Sequence, residues 1–114
     1  MVSVYEQGDI IEVDFSPTKG HEAAHVRPAL VVSSYDFNIS NSMTLVCPIS
    51  NRMRPFFLHE PLPDDAPVTG SVIMEQMRAL DLEARPTRRL GHLDQVILHK
   101  VLVCLRSFFE EDAQ

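Results

Sequence analysis

The residues best suited to chemistry fall in one loop between two apolar runs. Within the segment GDIIEVDFSPTKGHEAAHVRPALVVSS, which begins at Gly8, the loop carries Lys19, His21, His25 and Arg27. A guanidinium can hold a phosphate through two parallel hydrogen bonds, and an imidazole is the side chain most readily tuned to move protons near neutral pH. The loop could therefore be a plain hairpin connection or the place where a negatively charged group binds.

The net charge argues at first against a nucleic-acid partner. It is −6, whereas phosphate binding normally needs a basic surface. Seven of the 16 acidic residues lie near the two ends of the chain, however, and seven of the eight arginines lie in the middle. Arginine suits bidentate phosphate contacts better than lysine does. These central arginines are Arg27, Arg52, Arg54, Arg78, Arg85, Arg88 and Arg89. A local phosphate-binding face is therefore compatible with an acidic protein.

Arg27 and Ser50 are the candidates for direct contact with a phosphate. Pro28 biases the backbone of Arg27 toward an extended conformation, which places it where the loop enters a strand. A structural arginine paired with a carboxylate such as Glu22 is the alternative. Ser50 closes the apolar run TLVCPIS, and its hydroxyl could donate to a phosphoryl oxygen. Serine is also common at turns and strand ends for purely local reasons.

Short apolar runs predict the strands that must position these residues. Ile11, Val13 and Phe15 alternate with more polar neighbours, which is typical of a strand, and Pro17 ends it. Further strands are predicted at PALVVSS, MTLVCPIS, PFFLHE, GSVIMEQM and, less strongly patterned, RALDL. The segment SYDFNISNS is predicted to be a polar turn region, and PLPDDAPVTG a proline-rich loop.

The C-terminal segment predicts a helix. Asp94 is its expected N-cap, with Leu93 and Leu98 placed to form a hydrophobic staple. The segment QVILHKVLVCLRSFF is apolar on more than one helical stripe, so the helix is either deeply embedded or meets a second subunit. We expect the second arrangement, a homodimer. The chain as a whole reads as one domain, residues 1–114, mainly β with a C-terminal α-helix, its sheet strongly bent or closed into a small barrel.

Two observations limit the classes of function. No apolar run has the length of a membrane span and the N-terminus lacks a signal peptide, so we expect a cytoplasmic protein without a membrane partner. Cys47 and Cys104 each lie inside an apolar run and neither belongs to a CxxC pair. We therefore expect two buried thiols and no metal or other cofactor.

Three separated motifs resemble the MazF/PemK (Kid) toxins of bacterial toxin–antitoxin modules. They are GDI-x-x-V-D-F-x-P-T-K-G-x-E-x-x-x-x-R-P-A-L-V-V-S, then TLVCPIS, then GSVIMEQMRALDLEAR, and the resemblance runs from Gly8 to about Phe109. It implies an SH3-like small β-barrel with a C-terminal helix, assembled as a homodimer. It also implies a metal-independent endoribonuclease that cuts single-stranded RNA at short sequences, leaving a 2′,3′-cyclic phosphate and a 5′-hydroxyl. Its partner would be an antitoxin with an acidic, flexible tail.

The resemblance implies catalytic roles for Arg27, Ser50, His21 and Glu75. An arginine resists deprotonation, so stabilising charge or donating a proton to the leaving group suits Arg27 better than a base role. Relatives usually have threonine where Ser50 stands, which keeps the hydroxyl. Glu75 matches an acidic candidate base, but Ile73 stands where Kid-like members have arginine, which places the chain nearer the MazF branch. An inward carboxylate bonded to Arg27 is the structural alternative for Glu75.

RNA contacts are expected along a groove lined by polar, basic and aromatic side chains. The expected contact residues are Lys19, His25, Asn51, Arg52, Arg54, Phe56, Gln76 and Arg78. Phe57 is expected to pack in the core instead, and Gln76 and Arg78 could also be framework residues. The chain has no tryptophan, and Glu12 stands about where many relatives have one.

Two other functions compete with RNA cleavage. The CcdB-like gyrase poisons share the dimeric barrel but end in a Trp-Gly-Ile-type tail, whereas this chain ends SFFEEDAQ. The second is a catalytically inactive barrel that acts as a protein-binding module. The presence of Arg27 together with Ser50 argues against a loss of activity.

Overall fold

A computed structural model describes residues 4–15, 26–52 and 55–113. The strands are β1 Asp9–Asp14, β2 Val26–Val31, β3 Thr44–Ser50, β4 His59–Pro61, β5 Ser71–Ile73, β6 Arg78–Leu80 and β7 Thr87–His92. The α-helices are α1 Tyr35–Ser40 and α2 Gln95–Ser107, and two short 3₁₀ helices occupy Met74–Gln76 and Leu82–Ala84. The mainly β class with a C-terminal helix is therefore confirmed.

All strand pairs are antiparallel, and the hydrogen-bonded order is β4-β5-β3-β2-β1-β7. β3 pairs with β2 along one edge and, along the other, with β6 near its start and β5 near its end. The β1–β7 register shifts between Ile10 and Ile11, which adds local twist. Among the described residues β4 and β7 do not pair with each other, so the bent sheet is not closed into a hydrogen-bonded barrel.

Both faces of the central strands are buried, which explains why they read as continuous apolar runs. Alternate residues supply two cores. The helix-side core contains Ile10, Leu30, Val32, Cys47, Ile49, Val72, Met74, Leu93, Leu98, Val101 and Leu105. The opposite core contains Ile11, Val13, Phe15, Ala29, Val31, Val46, Leu80 and Leu82. Residues of the central strands β2 and β3 therefore become accessible mainly at the strand ends, where Arg27 and Ser50 lie.

Helix α2 begins as the sequence predicts. The carboxylate of Asp94 accepts hydrogen bonds from the backbone N–H groups of Val96 and Ile97 at 3.2 and 3.4 Å. Leu93 and Leu98 are both buried in the helix-side core, as a hydrophobic staple requires. The two apolar stripes are largely accommodated by the chain's own core, against which Ile97, Leu102 and Cys104 also pack. Within the described residues, no helix is long and apolar enough to cross a membrane.

The sequence-based prediction was wrong for the segment after β2. SYDFNISNS is not a turn region, because residues Tyr35–Ser40 form α1. Ser34 caps this helix by accepting a hydrogen bond from the Phe37 backbone at 3.1 Å. The buried side chain of Asn38 donates to the Tyr5 carbonyl at 2.9 Å and so ties α1 to the N-terminal segment. Polar residues here serve capping and anchoring, which local composition alone does not distinguish from a turn.

Three strand predictions also need correction. TRRLGH was not predicted as a strand but forms β7, an edge strand whose arginines face solvent. The strand expected at PFFLHE is confined to His59–Pro61, and that expected at GSVIMEQM ends at Ile73. Glu75 and Gln76 therefore lie in a 3₁₀ helix. β6 lies within RALDL, as predicted.

Candidate active site

An open cavity of about 400 Å³ lies where β2 begins and β3 ends. Its described lining residues are Val26, Arg27, Pro28, Ile49, Ser50, Asn51, Arg52 and Thr69. The structure thus brings together the two main candidates from the sequence and two of the expected RNA-contact residues. No aspartate or glutamate is among these lining residues.

Strand register explains why Arg27 and Ser50 meet. Ala29 of β2 lies opposite Pro48 of β3. Arg27 precedes Ala29 by two residues and Ser50 follows Pro48 by two, so both side chains lie on the same face, at the same level of the sheet. Arg27 is half-buried at the start of β2, as the following proline predicts. Among the described residues, no carboxylate forms an ion pair with Arg27 or Arg52.

The backbone around Ser50 is held by a tight turn and a close glycine. The Ser50 Oγ accepts a hydrogen bond from the backbone N–H of Arg52 at 3.2 Å, which leaves its own proton for another acceptor. Gly70 has a φ of +125°, and a Cβ built on it would lie 2.8 Å from the carbonyl carbon and oxygen of Ser50. A side chain at position 70 would therefore displace the strand end that carries the hydroxyl.

Glu75 does not line this cavity. Its Oε2 lies 2.8 Å from the Nε2 of His59, whose side chain is only 5% exposed, while that of Glu75 is 35% exposed. The alternative in which Glu75 is an inward carboxylate bonded to Arg27 is therefore wrong. His59 follows Phe56 and Phe57, and the Phe56 ring meets it edge-on with centroids 5.2 Å apart.

The prediction that Phe57 packs in the core is wrong, because this side chain is 80% exposed. Its partner Phe56 is 48% exposed, and the two ring centroids lie 4.7 Å apart. Two exposed, touching phenylalanines are costly in water and are suited to stacking against a planar ligand. β4 begins only at His59, so Phe56 and Phe57 precede the strand and Phe57 has no strand face that packs on a core.

Arg78 has a framework contact on the same sheet face as the opposite core. It is paired with Val46 across β6 and β3, and its guanidinium carbon lies 5.6 Å from the centroid of the Phe15 ring. This cation–π contact holds the arginine over the apolar edge of the core while the side chain stays exposed to solvent. Gln76 is also exposed, at the end of a 3₁₀ helix.

Four candidate residues lie outside the described residues: Lys19, His21, His25 and Arg54. Their roles remain those that the sequence and the resemblance indicate. The same holds for Glu22, the carboxylate considered as a structural partner for Arg27.

The two cysteines differ in their surroundings. Cys47 is fully buried, as expected, and burial together with the nearby charge of Glu75 raises the pKa of its thiol to about 12. Cys104 is only partly buried, and burial raises the pKa of its thiol as well. Because only the thiolate reacts, the raised pKa makes Cys47 a poor nucleophile at neutral pH. Within the described residues, no group of three or more His, Cys, Asp or Glu side chains is placed to hold a metal ion.

Sequence reasoning missed three residues around the site: Thr69, Gly70 and His59. Thr69 lines the cavity from the turn before β5, and Gly70 packs on the backbone of Ser50. A glycine at the end of a proline-rich loop was the available signal for a close backbone approach. His59 gave no local signal, because its partner lies sixteen residues away.

The fold and the cavity together define a small antiparallel β protein with an arginine- and hydroxyl-lined cavity at its strand ends. A family model described as PemK-like, MazF-like toxin of type II toxin-antitoxin system matches residues 6–109, and the chain belongs to that family. Among curated relatives, the endoribonuclease toxin ChpB of Escherichia coli K12 is 38% identical over 113 residues, covering 95% of this chain and 97% of the relative. The endoribonuclease toxin MazF of the same strain is 35% identical over 95 residues, covering 80% and 83%.

Solved structures of MazF proteins share the fold. MazF from Deinococcus radiodurans superposes with a TM-score of 0.82 at 29% identity, covering 94% of this chain and 97% of that one. The MazF in a MazE–MazF crystal from the same organism gives a TM-score of 0.84 at 29% identity, with 94% and 96% covered. These likenesses extend over nearly the whole chain, which agrees with the fold expected from the sequence motifs.

Proposed function

We propose that this chain is the toxin of a type II toxin–antitoxin module, an endoribonuclease that cuts single-stranded RNA at short sequences. The observation that carries the proposal is the cavity in which Arg27, Arg52 and the Ser50 hydroxyl gather with no carboxylate among the described lining residues. Such a cavity attracts a phosphodiester and can stabilise the charge that develops on it. The relatives ChpB and MazF, both named endoribonuclease toxins, support the same activity.

The proposed reaction is an attack of the ribose 2′-oxygen on the adjacent phosphorus. The bond from phosphorus to the 5′-oxygen breaks, which leaves a 2′,3′-cyclic phosphate and a free 5′-hydroxyl. Arg27 binds two phosphoryl oxygens through its planar fork and stabilises the charge that grows on them. The Ser50 hydroxyl donates a further hydrogen bond to one of these oxygens.

Two protons must move, one from the 2′-hydroxyl and one to the 5′-oxygen. Arg27 is the candidate donor to the leaving oxygen, since a guanidinium gives a proton far more readily than it accepts one. His21, which precedes β2 in the sequence, is the candidate that takes the 2′ proton. Glu75 lies outside the cavity and has a different partner, so it is given another role below.

The RNA is proposed to run from the cavity across neighbouring polar and aromatic side chains. Asn51 and Arg52 line the cavity itself. The remaining proposed contact residues are Lys19, His25, Arg54, Phe56, Gln76 and Arg78. Exposed phenylalanines stack on bases of any sequence, whereas amide and guanidinium groups can bond to base edges or phosphates.

The proposed partners are an antitoxin with an acidic, flexible tail and a second copy of this chain. An acidic segment would fit the cavity because its carboxylates would pair with Arg27 and Arg52, which have no such partner among the described residues. Apolar side chains left exposed on and after α2 favour a homodimer: Val96, Val103, Phe108 and Phe109. Light scattering would then give about twice the chain mass of 12.9 kDa, and a stable monomer would contradict the dimer.

A toxin that cuts messenger RNA acts in the cytoplasm, which is the proposed location. The gyrase-binding alternative is less favoured, because the relatives described above are named for RNA cleavage. The inactive-barrel alternative is less favoured because the cavity retains a hydroxyl and a guanidinium that forms no ion pair among the described residues.

The direct test incubates the purified chain with a long single-stranded RNA in EDTA. We expect discrete fragments with 5′-hydroxyl ends, and a loss of about 10²- to 10³-fold in kcat/KM for Arg27→Ala. Arg88→Ala is the matched control, because Arg88 is an exposed arginine bound to Glu12 at 2.9 Å outside the cavity. Intact RNA with the wild type would contradict the ribonuclease, and equal cleavage by Arg27→Ala would contradict the role of that residue.

A further inference from the structure

His59 and Glu75 form a polar pair that the proposed reaction does not use. The His59 Nε2 lies 2.8 Å from the Glu75 Oε2. Facing an ionised carboxylate, this nitrogen must carry a proton and donate it, which fixes the orientation of the carboxylate. No other hydrogen bond of Glu75 is found among the described residues, and its side chain is 35% exposed. The pair therefore presents a positioned, accessible acceptor.

The strand register places His59, the positioning half of the pair, on the same sheet face as Ser50. Ser50 lies opposite Ser71 of β5, and Ser71 lies opposite Pro61 of β4. Ile73 follows Ser71 by two residues and lies opposite His59. Residues that pair across strands, or lie two apart along one strand, share a face, so His59 lies on the face that carries Ser50.

The separation decides what the pair can contact. His59 is two strands and two residues away from Ser50, which corresponds to about 12 Å for ordinary strand spacing and rise. A hydrogen bond spans only about 3 Å between heavy atoms. Glu75 is also not among the residues that line the cavity, so the pair is assigned to a neighbouring nucleotide of the same strand and not to the phosphate at Arg27.

The aromatic neighbours supply the second half of a base-binding site. Phe56 meets the His59 ring edge-on, and Phe57 beside it is the more exposed of the two phenylalanines. Single-stranded RNA is recognised by stacking its bases on aromatic rings and by bonding to their edges. A stacking surface next to a positioned carboxylate provides both contacts.

We propose that His59, Glu75, Phe56 and Phe57 form a base-recognition subsite that selects nucleotides bearing an exocyclic amino group; this inference rests on the proposed function. The Glu75 carboxylate accepts a hydrogen bond from the amino group, as carboxylates do from the N4 of cytosine. Uracil presents a carbonyl oxygen at that position, which repels a carboxylate. His59 is a positioning residue that holds the acceptor in place.

The test cleaves a pool of random single-stranded RNA and sequences the new 5′ ends. For the wild type we expect uracil to be depleted about tenfold or more at one position near the cut. Glu75→Gln should abolish that depletion while the preferences at other positions persist, because an amide can also donate to the uracil carbonyl. His59→Ala should weaken the depletion and His59→Gln should restore part of it. Equal melting temperatures confirm that the variants are folded.

A second experiment, which measures binding without cleavage, distinguishes failure of the subsite from failure of the proposed function. It measures the affinity of the wild type and of Glu75→Gln for non-cleavable 2′-deoxy oligonucleotides that differ only by cytosine or uracil at one position. A wild type that cuts no RNA but discriminates these probes, with discrimination lost in Glu75→Gln, would refute the ribonuclease and support the subsite. Unchanged uracil depletion in Glu75→Gln would overturn the subsite. Loss of all cleavage with unchanged base preference in binding would overturn it too, since the pair would then belong to the chemistry.

Discussion

Arginines have different surroundings along the β1–β7 edge and in the cavity where β2 begins and β3 ends. Along β1–β7, Arg89 bonds to the buried Asp9 at 2.7 Å and Arg88 bonds to Glu12 at 2.9 Å. At the β2–β3 end, Arg27 and Arg52 share a cavity whose described lining has no carboxylate. The paired arginines hold an edge strand, whereas Arg27 and Arg52, which have no ion pair among the described residues, are available to the proposed phosphate.

This contrast explains how a chain with a net charge of −6 can still bind a phosphodiester. Asp9 and Glu12 are paired with arginines on the β1–β7 edge, and no acidic residue is among the described residues that line the cavity. Exposed charges separated by more than about 8–10 Å are largely screened at physiological salt. The potential at the cavity is therefore set mainly by its own lining residues and much less by the net charge.

The largest of the three effects is expected from removing the Ser50 hydroxyl that lines the cavity. Ser50→Ala should lower kcat/KM for RNA cleavage by about 10²-fold, because a donor to the developing charge is lost. Ser50→Thr should keep most of the activity, since it retains the hydroxyl. Ser71→Ala is the matched control, because Ser71 lies opposite Ser50 in β5 but outside the cavity lining. Similar losses from both alanine variants would show that the effect is structural.

The next effect concerns the paired edge. Asp9→Ala removes the bonds to Arg89 and His92 and the acceptor for the Glu6 backbone N–H at 2.8 Å. We expect the free energy of unfolding in urea to fall by about 1–3 kcal/mol, with kcat/KM of the folded fraction unchanged. Glu12→Ala, which breaks only the exposed pair, should cost less than about 1 kcal/mol. A variant of Asp9 that remains stable but loses activity would contradict the division between the two regions.

The smallest effect is expected from adding a carboxylate to the cavity, so that its arginines gain a nearby acidic group as those of the β1–β7 edge have. Asn51→Asp adds one negative charge to the cavity lining and should lower kcat/KM at low salt by about fivefold, less at high salt. Gln95→Glu adds the same charge at the exposed start of α2 and should change kcat/KM by less than twofold. Equal responses to the two substitutions would mean that net charge, not the cavity, governs RNA binding.

Features with a local cause could be predicted from the sequence. Pro28 places Arg27 at the start of β2, and Asp94 sets the start of α2. Ser50 ends an apolar run, and β3 indeed ends there. These three depend on backbone preferences or on capping within a few residues, which a single sequence contains.

Features that depend on distant partners could not be predicted. The hydropathy of Phe57 gives no sign that it is 80% exposed, because that depends on where β4 begins. His59 and Glu75 meet only because β4 and β5 pair. β7 carries exposed arginines and is a strand because β1 offers it an edge. In each case the tertiary arrangement overrides the local pattern.

The double pairing of β3 limits how such a protein can diversify. Val46 and Cys47 are adjacent but serve different cores, so inserting or deleting one residue within β3 would exchange the two faces and bury the wrong set. The position of Ser50, at the end of β3, depends on the same number of residues in the strand. Inherited changes of the proposed target sequence are therefore expected outside β3, in residues 51–58 and at the His59–Glu75 pair. Target preference can drift there while the length of β3, and with it the position of Ser50, stays fixed.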